Sequence, residues 1–209
     1  MTLTDSIMAA FSQYPAFTYR DVRLRFGGSH SANVLSRTLS HLKSTGRIFA
    51  IRKGRYSVVR DSMVSGFAFR PFYYGLLSAM SIRDMWTQNT RPDIITTKTV
   101  SVSRTNVFGK DGPVVLVHHI PTKYLFGFDT VRYGSLSIPV SDPEKTLIDL
   151  FYFRVRLPIQ DWSGLLKAID PAKLDRYLKH YDSHTKASVT NFVRRNRDAA
   201  LDGKLESPY

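Results

Sequence analysis

Ser31-Ala32-Asn33-Val34-Leu35-Ser36-Arg37-Thr38-Leu39-Ser40-His41-Leu42-Lys43-Ser44-Thr45-Gly46 is followed at once by Arg47-Ile48-Phe49-Ala50-Ile51-Arg52-Lys53-Gly54-Arg55-Tyr56-Ser57-Val58. The first stretch reads as a helix closed by a glycine, and the second as a basic β-hairpin turning at Gly54. Leu35, Leu39 and Leu42 recur at i, i+4 and i+7 and must face a core. A rotation of about 100° per residue then puts Asn33, Arg37, Ser40 and Ser44 on the opposite face, flanked by Ser36 and His41. An Asn can pair bidentately with adenine and an Arg with guanine, so this outer stripe suits base edges. An ordinary solvated helix face is the plainer alternative.

Two shorter helical patterns precede this pair. Leu3, Ile7 and Phe11 form one apolar stripe with Ala10 beside them, and Tyr14-Pro15 is expected to end that helix. Thr18 suits the N-cap of the second, whose inward positions are Tyr19, Val22 and Phe26. Three helices and a two-stranded ribbon are the order of a winged helix-turn-helix, expected over residues 1–60. Gly27-Gly28-Ser29-His30-Ser31 stands before the third helix. It reads as a phosphate cradle, with Gly28, Ser29 and Ser31 offering donors, and equally as a plain turn with a Ser cap, two readings that can hold together. At the hairpin tip, Arg52, Lys53 and Arg55 suit contact with a phosphate backbone or minor groove; basic turns also serve solubility.

Charge supports an anionic partner. The chain has 209 residues and a formal net charge of +13. Residues 1–60 hold ten Lys/Arg against Asp5 and Asp21, a net of +8, and the other residues hold twenty against fifteen. A compact positive module is the footprint expected of a double-stranded DNA binder. There is no cysteine, which excludes disulfides and thiolate metal sites. No secretion signal and no membrane-length apolar run is read in the sequence, so the protein is expected to be soluble and cytoplasmic, with no membrane partner.

Asp61-Ser62-Met63-Val64-Ser65-Gly66 has the composition of a linker, and residues 67–209 are expected to form a second, α+β domain. Pro71 suits the first turn of a helix over 72–85. Strand-like stretches follow at 94–103, 114–120, 124–131 and 136–140, then helical ones at 143–153, 159–169, 171–181 and 186–201. Phe67, Phe69, Phe72, Tyr73 and Tyr74 are read as core rather than as a partner surface. In Asp142-Pro143-Glu144, Ser141 or Asp142 can cap a helix, Pro143 suits its first turn and Glu144 complements its dipole. Leu147, Ile148 and Phe151 would then face the core.

Those residues also carry a family resemblance. The winged-helix pattern ending in Gly54-Arg55-Tyr56, the segment Tyr73-Tyr74-Gly75-Leu76-Leu77-Ser78-Ala79 and the run Val140-Ser141-Asp142-Pro143-Glu144-Lys145-Thr146-Leu147-Ile148-Asp149 together resemble the AbiEi antitoxins. These are the regulatory halves of abortive-infection, type IV toxin–antitoxin operons, and the likeness spans most of the chain. It implies a mixed α/β AbiEi-type C-terminal domain. It also implies an autoregulating repressor that binds promoter repeats and neutralises a nucleotidyltransferase-like toxin without a stable complex. A stand-alone regulator, or an RNA-binding protein using Lys186, Arg194, Arg195 and Arg197, are the alternatives.

No enzyme is read in the sequence. Asp93, Asp142, Glu144 and Lys145 fail the acidic–lysine nuclease pattern, because Glu144 and Lys145 are adjacent and follow a proline at a helix start. His118 and His119 are strand neighbours and point to opposite faces. His180 and His184 are separated by a break at Asp182-Ser183, with no Glu placed for a zinc-protease motif. No phosphate-binding glycine loop or nucleophile elbow occurs. No metal and no cofactor is expected.

Overall fold

The computed structural model describes residues 1–88, 90–100 and 103–196, and within them the chain is mixed α+β. It divides into two compact units, cut differently from the expected 1–60, 61–66 and 67–209. One comprises Met1–Arg70 with Ser101–Val117, and the other Pro71–Val100 with His118–Tyr209.

The N-terminal unit begins with α1 (Leu3–Phe11), which ends at Ser12, earlier than Tyr14-Pro15. A two-residue strand, β1 (Phe17–Thr18), was not anticipated. Thr18 also caps α2 (Tyr19–Phe26) in a reciprocal box: its side chain accepts from Asp21 N–H, and Asp21 accepts from Thr18 N–H at 2.7 Å. Ser31 caps α3 (Ala32–Ser44), whose Leu35, Leu39 and Leu42 are buried as expected. Those leucines meet Ile7, Phe11, Phe17, Val22 and Ile48 in one core cluster, with Tyr19 and Phe26 packed at its edge. The hairpin is β2 (Phe49–Arg52) with β3 (Arg55–Ser57), and β1 adds to β3, giving the order β1-β3-β2.

The expected linker is not one. Ser62–Phe69 is a 3-10 helix with Met63 to Phe69 buried, because Met63, Val64, Phe67 and Phe69 give it an apolar content no exposed linker needs. A second hairpin, β6 (Arg104–Asn106) with β7 (Val114–His119), contributes its residues up to Val117 to the same unit.

In the second unit, β4 (Phe72–Tyr74) replaces the start of the helix expected over 72–85; only α4 (Leu76–Ile82) is helical. Phe72, Tyr73 and Tyr74 are all buried, so the run has neither a helical nor an alternating period. β4 pairs antiparallel with β5 (Asp93–Thr96) and parallel with β9 (Leu136–Ser141), which forms a hairpin with β8 (Phe128–Tyr133). Against this lie α5 (Pro143–Tyr152), α6 (Trp162–Lys167), α7 (Pro171–Leu178) and α8 (Ser183–Asn196). Trp162, Leu147, Ile148, Leu150, Val189 and Phe192 anchor the core, and Phe151 packs at its margin. No helix among the described residues is long and apolar enough to cross a membrane.

Candidate nucleic-acid interface

The outer face of α3 carries Asn33, Ser36, Arg37, Ser40, His41 and Ser44, all exposed. A groove of about 440 Å³ runs beside it, lined by Asn33, Ser36, Ser40 and Lys43 of the helix and by Tyr19 and Tyr56. Arg37 and His41 lie outside that lining. Lys43 was missed in the sequence, although it stands at i+3 from Ser40 and i+7 from Ser36 and so shares their face. Tyr19 donates its hydroxyl to the Ala32 carbonyl at 3.2 Å and thereby ties α2 to the first turn of α3.

The turn before α3 holds the Ser cap expected of it. The N–H groups of Ser29 and His30 both donate to the Phe26 carbonyl, and Gly27 N–H donates to Arg23. Ser31 accepts from Val34 N–H with its side chain. Of the phosphate donors expected here, Ser29 and Ser31 are therefore engaged locally. Gly28 is exposed with open space around its Cα. What remains for an anion is the start of α3 itself, whose first N–H groups have no intrahelical acceptor.

At the turn of the β2–β3 hairpin, Gly54 has φ +74, which lets Lys53-Gly54 reverse the chain in two residues. Arg52 then faces Arg55 directly across the hairpin. Like charges in that position repel each other in the free protein. An anion between them would remove the repulsion. Arg52 has a second role, since its guanidinium lies 5.2 Å from the centre of the Phe69 ring. Arg52 and Lys53 are exposed and Arg55 is half-buried. If this hairpin meets a duplex backbone, replacing Arg52 and Arg55 by Ala should weaken all duplexes alike. The slope of log affinity against log salt should flatten by roughly 2, read from titrations at several salt concentrations.

The Asp-Pro-Glu motif lies in the other unit and is architectural. Asp142 caps α5, accepting from Lys145 N–H at 2.8 Å, and Pro143 occupies its first turn. Glu144 accepts from Asp170 N–H at 2.7 Å and pairs with Lys173 at 3.1 Å. Lys173 also reaches Asp142 at 3.0 Å. Burial alone would lower the Lys173 pKa, but its bonds to both carboxylates hold it above the usual lysine value. Tyr177 donates to Asp142 at 2.8 Å, and burial with that bond pushes its pKa up to about 12.

Beneath this lies a feature not anticipated: Lys145 and Asp149 form a fully buried ion pair one helical turn apart. Lys145 also donates to the Tyr181 hydroxyl at 2.9 Å, and Tyr73 donates to Asp149 at 2.8 Å. Rings of Tyr73, Phe126 and Tyr181 surround the ammonium at 5.3–5.6 Å.

Among the described residues, no group of three or more His, Asp or Glu side chains is placed to hold a metal. His118 bonds Asp93 at 2.9 Å, while His119, His180 and His184 are exposed. On α8, Lys186, Arg194 and Arg195 are exposed and Phe192 is buried; Arg197 lies outside the described residues.

No family model matches the sequence, and no curated protein is similar to it in sequence. Among solved structures, the crystal structure of the RV2827C protein from Mycobacterium tuberculosis is similar in fold. Its TM-score is 0.60 at 13% identity, over 99% of this chain and 83% of that one.

Proposed function

We infer that the N-terminal unit is a winged helix-turn-helix and that the chain is a sequence-specific, DNA-binding transcriptional repressor. The observation that carries this reading is the joint display on one small unit of a polar α3 face and a wing whose two arginines face each other. In this reading α3 enters the major groove with Asn33, Arg37 and Ser40 at base edges, and Arg52, Lys53 and Arg55 meet phosphates. Lys43 and the groove beside it join that surface. Mobility-shift assays on the duplex upstream of the gene, against competitor DNA, are expected to give a specific complex. Binding no tighter than to random DNA of the same length would leave only a general basic binder.

The resemblance to the AbiEi antitoxins extends the reading to an autoregulating antitoxin of a two-gene operon, countering a nucleotidyltransferase-like toxin. The sequence motif supports it, and co-expression with the product of an adjacent nucleotidyltransferase gene tests it. Rescue of growth is expected. Growth arrest unchanged by this chain would favour a stand-alone regulator. An RNA-binding role for α8 has less support, because Phe192, the aromatic beside its cations, is buried and offers no base a stacking surface.

Action by binding rather than catalysis is part of the same proposal. Asp142 and Glu144 already satisfy Lys173, Tyr177 and backbone N–H groups, which leaves them poorly placed to gather a substrate. Labelled DNA and RNA incubated with the protein and Mg²⁺ or Mn²⁺ are expected to stay intact. Cleavage abolished by Glu144→Gln would overturn this assignment.

A further inference from the structure

The order β1-β3-β2 leaves β2 at the edge of the wing sheet, with one side of its backbone open to a further partner. That side is met by residues more than fifty positions away. Phe108 donates its N–H to the Ala50 carbonyl at 3.2 Å, and its ring stands edge-on to Phe49 at 5.9 Å. Arg60 covers the same Phe49 ring, its guanidinium 5.6 Å from the centroid. The tip of the β6–β7 hairpin thus braces the base of the wing.

The tip is built to hold one shape. Asn106 donates from its side-chain amide to the carbonyls of Lys110 at 2.6 Å and Gly112 at 3.1 Å. Val107 N–H donates to Pro113 at 3.0 Å. A Cβ on Gly112 would stand 1.7 Å from the Val107 carbonyl oxygen, so no other residue fits there without moving the loop. Phe108 is held at φ +65, a backbone conformation that strains a non-glycine residue and persists only where its surroundings enforce it. Lys110 has its carbonyl anchored, its side chain exposed and no ion pair among the described residues. Asp111 follows it, so the tip carries no net charge and a charge count along the chain passes over it.

The geometry points to this hairpin tip as a further duplex-contacting element: Phe108 sets the position of the wing, and Lys110 meets a DNA phosphate beside it. The inference rests on the reading of the N-terminal unit as a duplex binder. Lys110 is exposed two residues beyond the Phe108 contact, on the hairpin tip that meets the β2 edge. Phe108 is a positioning residue; Lys110 touches the ligand.

Salt titrations on the upstream duplex test this with the full chain. Lys110→Ala is expected to flatten the slope by about 0.9, roughly a threefold change in the affinity ratio between 50 and 200 mM salt, and Lys110→Arg to keep the wild-type slope. Phe108→Ala should lower the slope in the wild-type background and add almost nothing once Arg52 and Arg55 are already Ala, whereas Phe108→Tyr should behave as wild type. A Lys110→Ala slope equal to wild type overturns the contact. Equal losses from Phe108→Ala in both backgrounds overturn the brace. Should the Arg52/Arg55 double variant itself leave the slope unchanged, the reading of the wing fails first, and the tip loses its ligand with it.

Discussion

Asp149→Ala is expected to destabilise the protein by about 3–5 kcal/mol, because it leaves the Lys145 ammonium buried without its counter-ion. Few single changes in this chain should cost more. Lys145 and Asp149 are both fully buried, and removing the carboxylate also strips the acceptor from the Tyr73 hydroxyl. The two halves of the pair should respond to pH in opposite directions. Burial lowers the Lys145 pKa and raises that of Asp149, each opposed by the attraction of its partner.

In Asp149→Ala only the lowered lysine remains. Its folded form favours the neutral amine more than the unfolded chain does, so stability should fall as pH drops below the ordinary lysine value. In Lys145→Met only the raised carboxyl remains. The folded form then favours the protonated acid, so stability should be highest at low pH and be lost as pH rises through the folded value. Urea unfolding of both variants at pH 5 and pH 9 measures this. Penalties that move in the same direction with pH would overturn the opposite shifts assigned to Lys145 and Asp149.

Arg37→Ala is the change expected to do most to recognition. On the cognate duplex it should cost on the order of 1–3 kcal/mol, about five- to 150-fold in affinity, and little on random DNA. Arg37 is exposed on α3 and outside the groove lining, so its removal disturbs no packing. Melting temperature should be unchanged. Equal weakening on cognate and random duplexes would show that α3 does not read sequence and that Arg37 is one more phosphate contact.

How much of this could be read from the chain depended on how locally each feature is encoded. The faces of α3 followed from Leu35, Leu39 and Leu42, because a helix repeats its burial every three to four residues. The caps at Thr18, Ser31 and Asp142 were legible for a similar reason: each acts on backbone two or three residues ahead. β4 was not legible, since three consecutive aromatics buried together carry no period. Lys145 and Asp149 have the spacing of an ordinary surface pair on a helix, and only the rings packed around them make them a core element. The same holds at the β2–β3 hairpin. Its basic tip is plain in the sequence, but the brace on β2 is one backbone N–H and one ring edge supplied from Phe108, and no pattern near residue 50 announces it.

The late arrival of that brace has a consequence for the order of synthesis. Residues 1–70 leave the ribosome well before residues 101–117, which complete the same unit. At about 5–20 residues per second, the 47 positions from Arg70 to Val117 take roughly 2–9 seconds to add. Throughout that interval the Ala50 carbonyl and the rest of the β2 edge face solvent, open to strand pairing with another nascent chain. A gene fragment cut after Arg70 would make that interval permanent. Such a fragment should aggregate where the whole chain does not, and adding residues 103–117 as a separate peptide should relieve it.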